Sequence, residues 1–223
     1  MKRYRLLMSA LTTLLMGWLC AAEAQPIPSS AVACHFVIRA YLNIGADGQG
    51  VAEVAGYITD TPGISDSLFN GSPSEQTAFL TFRSDLVTLT PLPPNGVVNL
   101  ERVSPGTFNI YFNPTPNGDW SDPNTFSNGQ MFPGTPIAHF MRRQSLFFQT
   151  DTLSRHDVSE ILEYSRSFVL NGNTYDLKDS VPGGFTLYET YSNTPVSGIA
   201  GFPVVLPGAG NCAAVAGEEP NEQ

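Results

Sequence analysis

The stretch HFVIRAYLNI, residues 35–44, decides the fold class. Phe36, Ile38, Ala40, Leu42 and Ile44 fall on one face of an extended chain, and His35, Val37, Arg39, Tyr41 and Asn43 on the other. Unbroken alternation of this kind is the period of a β-strand, not of a helix. Residues 45–50, GADGQG, supply turn chemistry, and residues 51–59 form a second apolar run, so the two read as a hairpin with a longer loop.

Outward from this hairpin the pattern repeats. Further runs occupy 78–82, 86–89, 97–103 and 107–112, the last with Phe108, Ile110 and Phe112 on one face and Asn109 and Tyr111 on the other. More follow at 137–149, 158–170, 174–177 and 185–191. Pro91, Pro93, Pro94 and Pro105 stand between runs, where a missing N–H removes no ladder hydrogen bond. Asn171-Gly172, between Phe168-Val169-Leu170 and Tyr175, is a tight hairpin turn, since both residues tolerate positive φ. A helix competes only over 153–165, where Ser154 and Asp157 form a capping pair and Val158, Ile161 and Leu162 fit a 3.6 period. Alternation continuing into Phe168 and Leu170 favours strand there. The chain is therefore expected to be all-β, a single antiparallel barrel or sandwich of about 8–10 strands with little helix. A closed barrel would have no free edge and an interior able to hold a small ligand.

The ends read differently. Lys2, Arg3 and Arg5 precede an uncharged run over 6–22, and Ala22-Glu23-Ala24 places small residues before Gln25-Pro26. Residues 1–24 thus read as a secretory signal peptide cleaved after Ala24, with the mature chain exported to a periplasmic or extracellular space. Residues 25–206 form the β domain, and 207–223, rich in Gly, Ala, Glu and Pro, an acidic flexible tail. Of the 3 cysteines, Cys20 leaves with the leader, so Cys34 and Cys212 are expected to pair and tie that tail down. A bridge enclosing nearly the whole chain stabilises by roughly 5 kcal/mol in the chain-entropy account.

The formal net charge is −9, and removing the basic leader makes the mature chain more negative. Such a chain repels phosphate backbones and anionic lipid, so nucleic acid is excluded as a partner. No segment after the leader is long and apolar enough to span a membrane.

Candidate chemistry falls into a few sets. His35, Arg39 and Tyr41 share a face, and Tyr111 joins them if its strand packs nearby, giving an acid–base, an anion binder and two hydrogen-bond donors at a barrel mouth. His139, Arg142 and Arg143 form a second set and Ser154-Arg155-His156-Asp157 a third, but Ser, His and Asp adjacent in sequence are not a catalytic triad. Neither a Gly-x-Ser-x-Gly elbow nor a His-Glu-x-x-His helix is present. In the loop over 113–129, Asn117, Asp119, Ser121 and Asp122 present oxygens at the spacing of a calcium loop, though the twelfth position is Asn128, not Glu, and Asx-turns explain the same composition. Trp120 in that loop is either a sugar-stacking platform or a plug on the sheet, and Asp119 with Asp122 is a carboxylate pair of the kind glycoside hydrolysis uses. No other cofactor is expected. The sum is an exported β domain that binds a small molecule or glycan, or serves as a structural or surface module; the alternative is a barrel hydrolase or isomerase.

Overall fold

The computed structural model describes residues 34–128 and 135–215; the expected signal peptide over 1–24 lies outside the described residues. Thirteen strands form: β1 Cys34–Ile44, β2 Gly50–Asp60, β3 Leu80–Ser84, β4 Val87–Asn95, β5 Val98–Val103, β6 Gly106–Phe112, β7 Ala138–Arg142, β8 Ser145–Gln149, β9 Leu153–Ser165, β10 Phe168–Leu170, β11 Asn173–Tyr175, β12 Phe185–Ser192 and β13 Val204–Ala214. Residues 153–165 are strand, as the alternation requires. β10 and β11 make a separate hairpin whose turn residues, Asn171 and Gly172, have φ of 50° and 88°.

Every other neighbour is sequential and antiparallel. β3 and β4, β5 and β6, and β7 and β8 are each one long stave interrupted once, so the ring runs β1, β2, β3/β4, β5/β6, β7/β8, β9, β12, β13 and back to β1. This is a closed eight-strand up-and-down barrel. The three interruptions, at Asp85-Leu86, Ser104-Pro105 and Arg143-Gln144, sit on adjacent staves. Each inserts one residue beyond the period of two, so Ser84 and Val87, Val103 and Gly106, and Arg142 and Ser145 can all keep the inward phase. Together they make a belt of bulges across one side of the wall.

The belt divides the interior. On the β3–β6–β7 side Phe36, Phe82, Phe108, Phe140 and Phe185 interlock, with centroids from 4.5 Å (Phe140–Phe185) to 5.8 Å (Phe108–Phe185) along the chain of contacts. On the β4–β5–β8 side the filling is smaller, with Ala40, Leu42, Val87, Leu89, Val103 and Phe147.

Three expectations need correction. Residues 207–214 are not a loose tail but most of β13, hydrogen-bonded to both β1 and β12, and only 216–223 lie outside the described residues. The small residues that suggested flexibility are required by packing: a Cβ on Gly210 would stand 2.5 Å from Phe36 Cζ and one on Gly208 2.7 Å from Tyr191 Cδ1. Pro91, Pro93 and Pro94 lie within β4 instead of between strands, with the pairing to β5 irregular between Leu92 and Asn95, where the ladder tolerates residues without an N–H. Finally, the His35, Arg39 and Tyr41 face points out of the barrel, because Phe36, Ile38, Ala40 and Leu42 take the interior. Cys34 and Cys212 are register partners on β1 and β13, bridged with Cα atoms 5.1 Å apart.

Candidate active site

The polar groups that matter chemically are inside the wall. β9 directs Ser154, His156, Val158 and Glu160 inward, and β12 directs Phe185, Leu187, Glu189 and Tyr191 inward. Antiparallel pairing places His156 directly opposite Glu189, and Arg142 of β7 directly opposite Glu160. His156 Nδ1 donates to Glu189 Oε2 at 2.8 Å, and the Tyr191 hydroxyl donates to the same oxygen at 2.7 Å. A carboxylate can only accept, so Nδ1 carries the imidazole proton and Nε2 is left as an acceptor. Ser145 Oγ lies 2.7 Å from Nε2 and donates to it whenever the imidazole is neutral. Ser145 reaches this point because the Arg143-Gln144 bulge returns β8 to the inward phase at its first residue.

Beside this chain, Arg142 Nε donates to Glu160 Oε1 at 2.7 Å, with the guanidinium 5.7 Å from the Phe108 ring centroid. Arg142, Glu160, Glu189 and Tyr191 are each at most 1% exposed. Burial raises Glu160 to about 7 despite the attraction of Arg142. Burial also pushes Glu189 upward, but His156, Arg142 and the hydrogen bonds outweigh it and hold the carboxyl below its usual range, so Glu189 stays ionised. Burial drives the Tyr191 phenol well up, so it remains a neutral donor. Arg142 Nη2, Glu160 Oε2 and Glu189 Oε1 are buried with unspent hydrogen-bonding capacity.

Two spaces adjoin the cluster. Inside, a cavity of about 30 Å³ is bounded by Ala40, Leu42, Val87 and Leu89 with Arg142, His156 and Tyr191 behind. That is room for roughly two water molecules and far short of the roughly 300–1,000 Å³ of a ligand pocket. Outside, at the β7–β8 bulge, a cleft of about 470 Å³ includes Arg143, Ser145, Val158, Glu160 and Ile161 in its walls. Size sets them apart: only the outer cleft has the room of a ligand pocket, and Ser145, whose hydroxyl turns inward to His156, is among the residues of its wall.

The residues singled out from sequence lie elsewhere. Arg39, Tyr41 and Trp120 do meet, on the outer face of β1: the Arg39 guanidinium is 4.5 Å from the Trp120 ring centroid, and Tyr41 donates to the Trp120 carbonyl at 3.1 Å. Trp120 packs on Phe126 and Tyr57 with centroids 4.7 and 5.9 Å away, so it covers the outer sheet as a plug. His35 is exposed apart from them, and Tyr111 lies on β6 beside a polar outer groove of about 210 Å³ with Glu53, Arg83, Asp85 and Asn109. In the 113–129 loop, Asp119 Oδ1 accepts from Ser121 N and Oγ, both at 2.8 Å, Asp122 Oδ1 accepts from Asn124 N at 3.1 Å, and Asn117 Oδ1 accepts from Asn113 Nδ2 at 2.8 Å. The bonds of Asp119 and Asp122 to the backbone N–H two residues on are Asx-turns, the geometry such sequences form without an ion. His139 stacks on Tyr164 outside the barrel while His156 is inside, and no three His, Cys, Asp or Glu side chains converge on a metal position among the described residues.

Arg142 and His156 belonged to the second and third sequence sets, but Ser145, Glu160, Glu189 and Tyr191 did not stand out. The signal was a charge in an apolar phase: Glu189 continues Phe185 and Leu187, and Glu160 continues His156 and Val158. No family model matches this chain, and neither the curated proteins nor the solved structures contain a significant match to it, so its function rests on geometry alone.

Proposed function

We propose that this chain is an exported serine hydrolase acting on carboxylic esters, with Ser145 as nucleophile, His156 as general base and Glu189 as the group that orients and stabilises the imidazole. The observation that carries this is the continuous chain Ser145 Oγ, His156 Nε2, His156 Nδ1, Glu189 Oε2, with links of 2.7 and 2.8 Å. A serine is a weak nucleophile until an adjacent base takes its proton, and the base is effective when a buried carboxylate fixes its tautomer. Ser145 Oγ would bond to the ester carbonyl carbon as its proton passes to His156 Nε2. The carbon–oxygen bond to the alcohol then breaks, and His156 returns the proton to the departing alkoxide. Water, deprotonated by His156, hydrolyses the acyl-serine to the free acid and restores the hydroxyl. Arg142 Nη2 is a buried donor of the cluster without a hydrogen-bond partner of its own. The export half of the proposal is supported by the leader over 1–24 and by the Cys34–Cys212 bridge.

The test is labelling of the mature protein with an alkyl fluorophosphonate and peptide mapping by mass spectrometry. The expected result is a single adduct on Ser145, lost in Ser145→Ala and in His156→Ala, with ester turnover lost in parallel by a factor on the order of 10³ or more. Turnover unchanged in Ser145→Ala removes the proposal.

A second reading, a non-catalytic binding module for a glycan or other polyhydroxylated molecule, is favoured by the outer groove. There the Glu53 side chain is 4% exposed, pairs with Arg83 Nη2 at 2.8 Å and keeps Oε1 unpartnered, while Arg83 Nε is also unspent. Alternating acceptors and donors of this kind suit hydroxyl groups. Saturable binding of an oligosaccharide that Arg83→Ala abolishes, in a protein that Ser145→Ala leaves unaffected, would select it.

A further inference from the structure

We infer that the substrate of the Ser145 site is an amphiphilic ester, with an apolar acyl chain lying on the outer wall beside the bulge and a negative charge held at Arg143. The inference rests on the hydrolase reading and specifies its substrate class.

The wall around the cleft is unlike a solvated strand face. Outward positions on antiparallel barrels facing water are normally polar, yet here Met141 and Ile161 are opposite partners on β7 and β9 and are 46% and 36% exposed. Leu146 of β8 and Tyr188 of β12 flank Asp157 of β9 from its two sides, each 38% exposed, and Val215 beyond β13 is 39% exposed. Ile161 and Val215 are themselves in the cleft wall with Ser145. Ile161 and Val215 thus bring apolar surface into the cleft wall beside Ser145, with Met141, Leu146 and Tyr188 farther out on the same face of the barrel. Clustered exposed apolar side chains rimmed by polar ones mark a binding surface, and a hydrocarbon chain running from a carbonyl at Ser145 would cover Ile161 and Val215 first.

The charge argument is independent of the patch. In a chain of net charge −9, the cations near the cleft are mostly spent: Arg142 on Glu160 and Arg155 on Asp157. Arg143, exposed in the cleft wall two residues before Ser145, makes no ion pair among the described residues. An anionic group on the substrate is the complement it lacks, and its position beside an opening in an otherwise negative molecule would steer such a substrate inward. Neutral short esters satisfy neither feature.

The experiment compares p-nitrophenyl acetate, butyrate and octanoate with the anionic 4-nitro-3-octanoyloxybenzoate, in the mature protein and in Arg143→Gln and Ile161→Ser. The expected result is kcat/KM rising at least roughly tenfold from acetate to octanoate, with a lower KM for the anionic ester. Arg143→Gln raises KM for the anionic ester roughly three- to fivefold relative to the neutral octanoate, and Ile161→Ser flattens the chain-length series. If Ser145 is labelled and esters turn over, but the series is flat and Arg143→Gln does not separate the two octanoates, the substrate class is wrong and the hydrolase reading survives. If no ester turns over and fluorophosphonate leaves Ser145 unmodified, both fall.

Discussion

His156 and Glu189 are exact cross-strand partners on β9 and β12, and the bond between His156 Nδ1 and Glu189 Oε2 is 2.8 Å long in a site where both side chains are at most 5% exposed. Their mutual orientation is therefore set by the sheet ladder itself and needs no loop to hold it. Glu189→Gln keeps the shape but offers either an amide donor or a neutral acceptor to the imidazole, which frees the wrong tautomer to face Ser145. The expected outcome is a fall in kcat on the order of 10³–10⁴ with KM little changed, measured by ester turnover in a variant whose melting curve shows it folded.

Glu160 makes stability depend on pH. Its folded value of about 7 lies above the ordinary 4.5, so between those two values the folded state holds a proton that the unfolded chain has released. Stability must then fall as pH rises from about 4.5 to about 7 and level off above. Carboxylates held low, Glu189 among them, act below this window. The melting temperature should be higher near pH 5 than near pH 7.5, and Glu160→Gln, which copies the protonated form, should lose that difference whatever its absolute stability.

Gly210→Ala should destabilise by about 2 kcal/mol through overpacking. The added methyl would stand 2.3 Å from the Tyr188 carbonyl oxygen as well as 2.5 Å from the Phe36 ring. Since half of the conflict is with backbone, adding Phe36→Leu should recover only part of the loss in a urea titration.

Replacing both Cys34 and Cys212 by Ser should cost about 2–5 kcal/mol of unfolding free energy. The spectrum of the folded protein should be unchanged, because the β1–β13 ladder continues to Leu42 and Val204 without the bridge. Melting with and without the pair of substitutions measures it.

Strands were legible wherever one face was uniformly apolar, as over 35–44 and 107–112, because alternation registers burial on one side only. β13 was not, since PGAGNCAA over 207–214 has almost no side chain with which to show a period; its inward glycines exist to admit the rings of Phe36 and Tyr191. The barrel rather than a sandwich followed from β13 pairing back to β1, a contact between the ends of the chain that no local pattern encodes. The site was scattered for a related reason. Ser145, His156 and Glu189 come from three staves, and Ser145 joins them only through a bulge that shifts the phase by one residue, so each looked like an isolated polar interruption.

The bridge between Cys34 and Cys212 also decides where load travels. The two sulfurs span 178 positions of chain and join the first stave to the last. If the molecule is drawn out by its two ends, tension crosses from one cysteine to the other through the sulfur–sulfur bond, and the intervening residues hang as a slack loop. The barrel is thereby shielded from forces applied at its termini, and the hydrogen bonds between β1 and β13 are spared from being sheared until that bond is reduced.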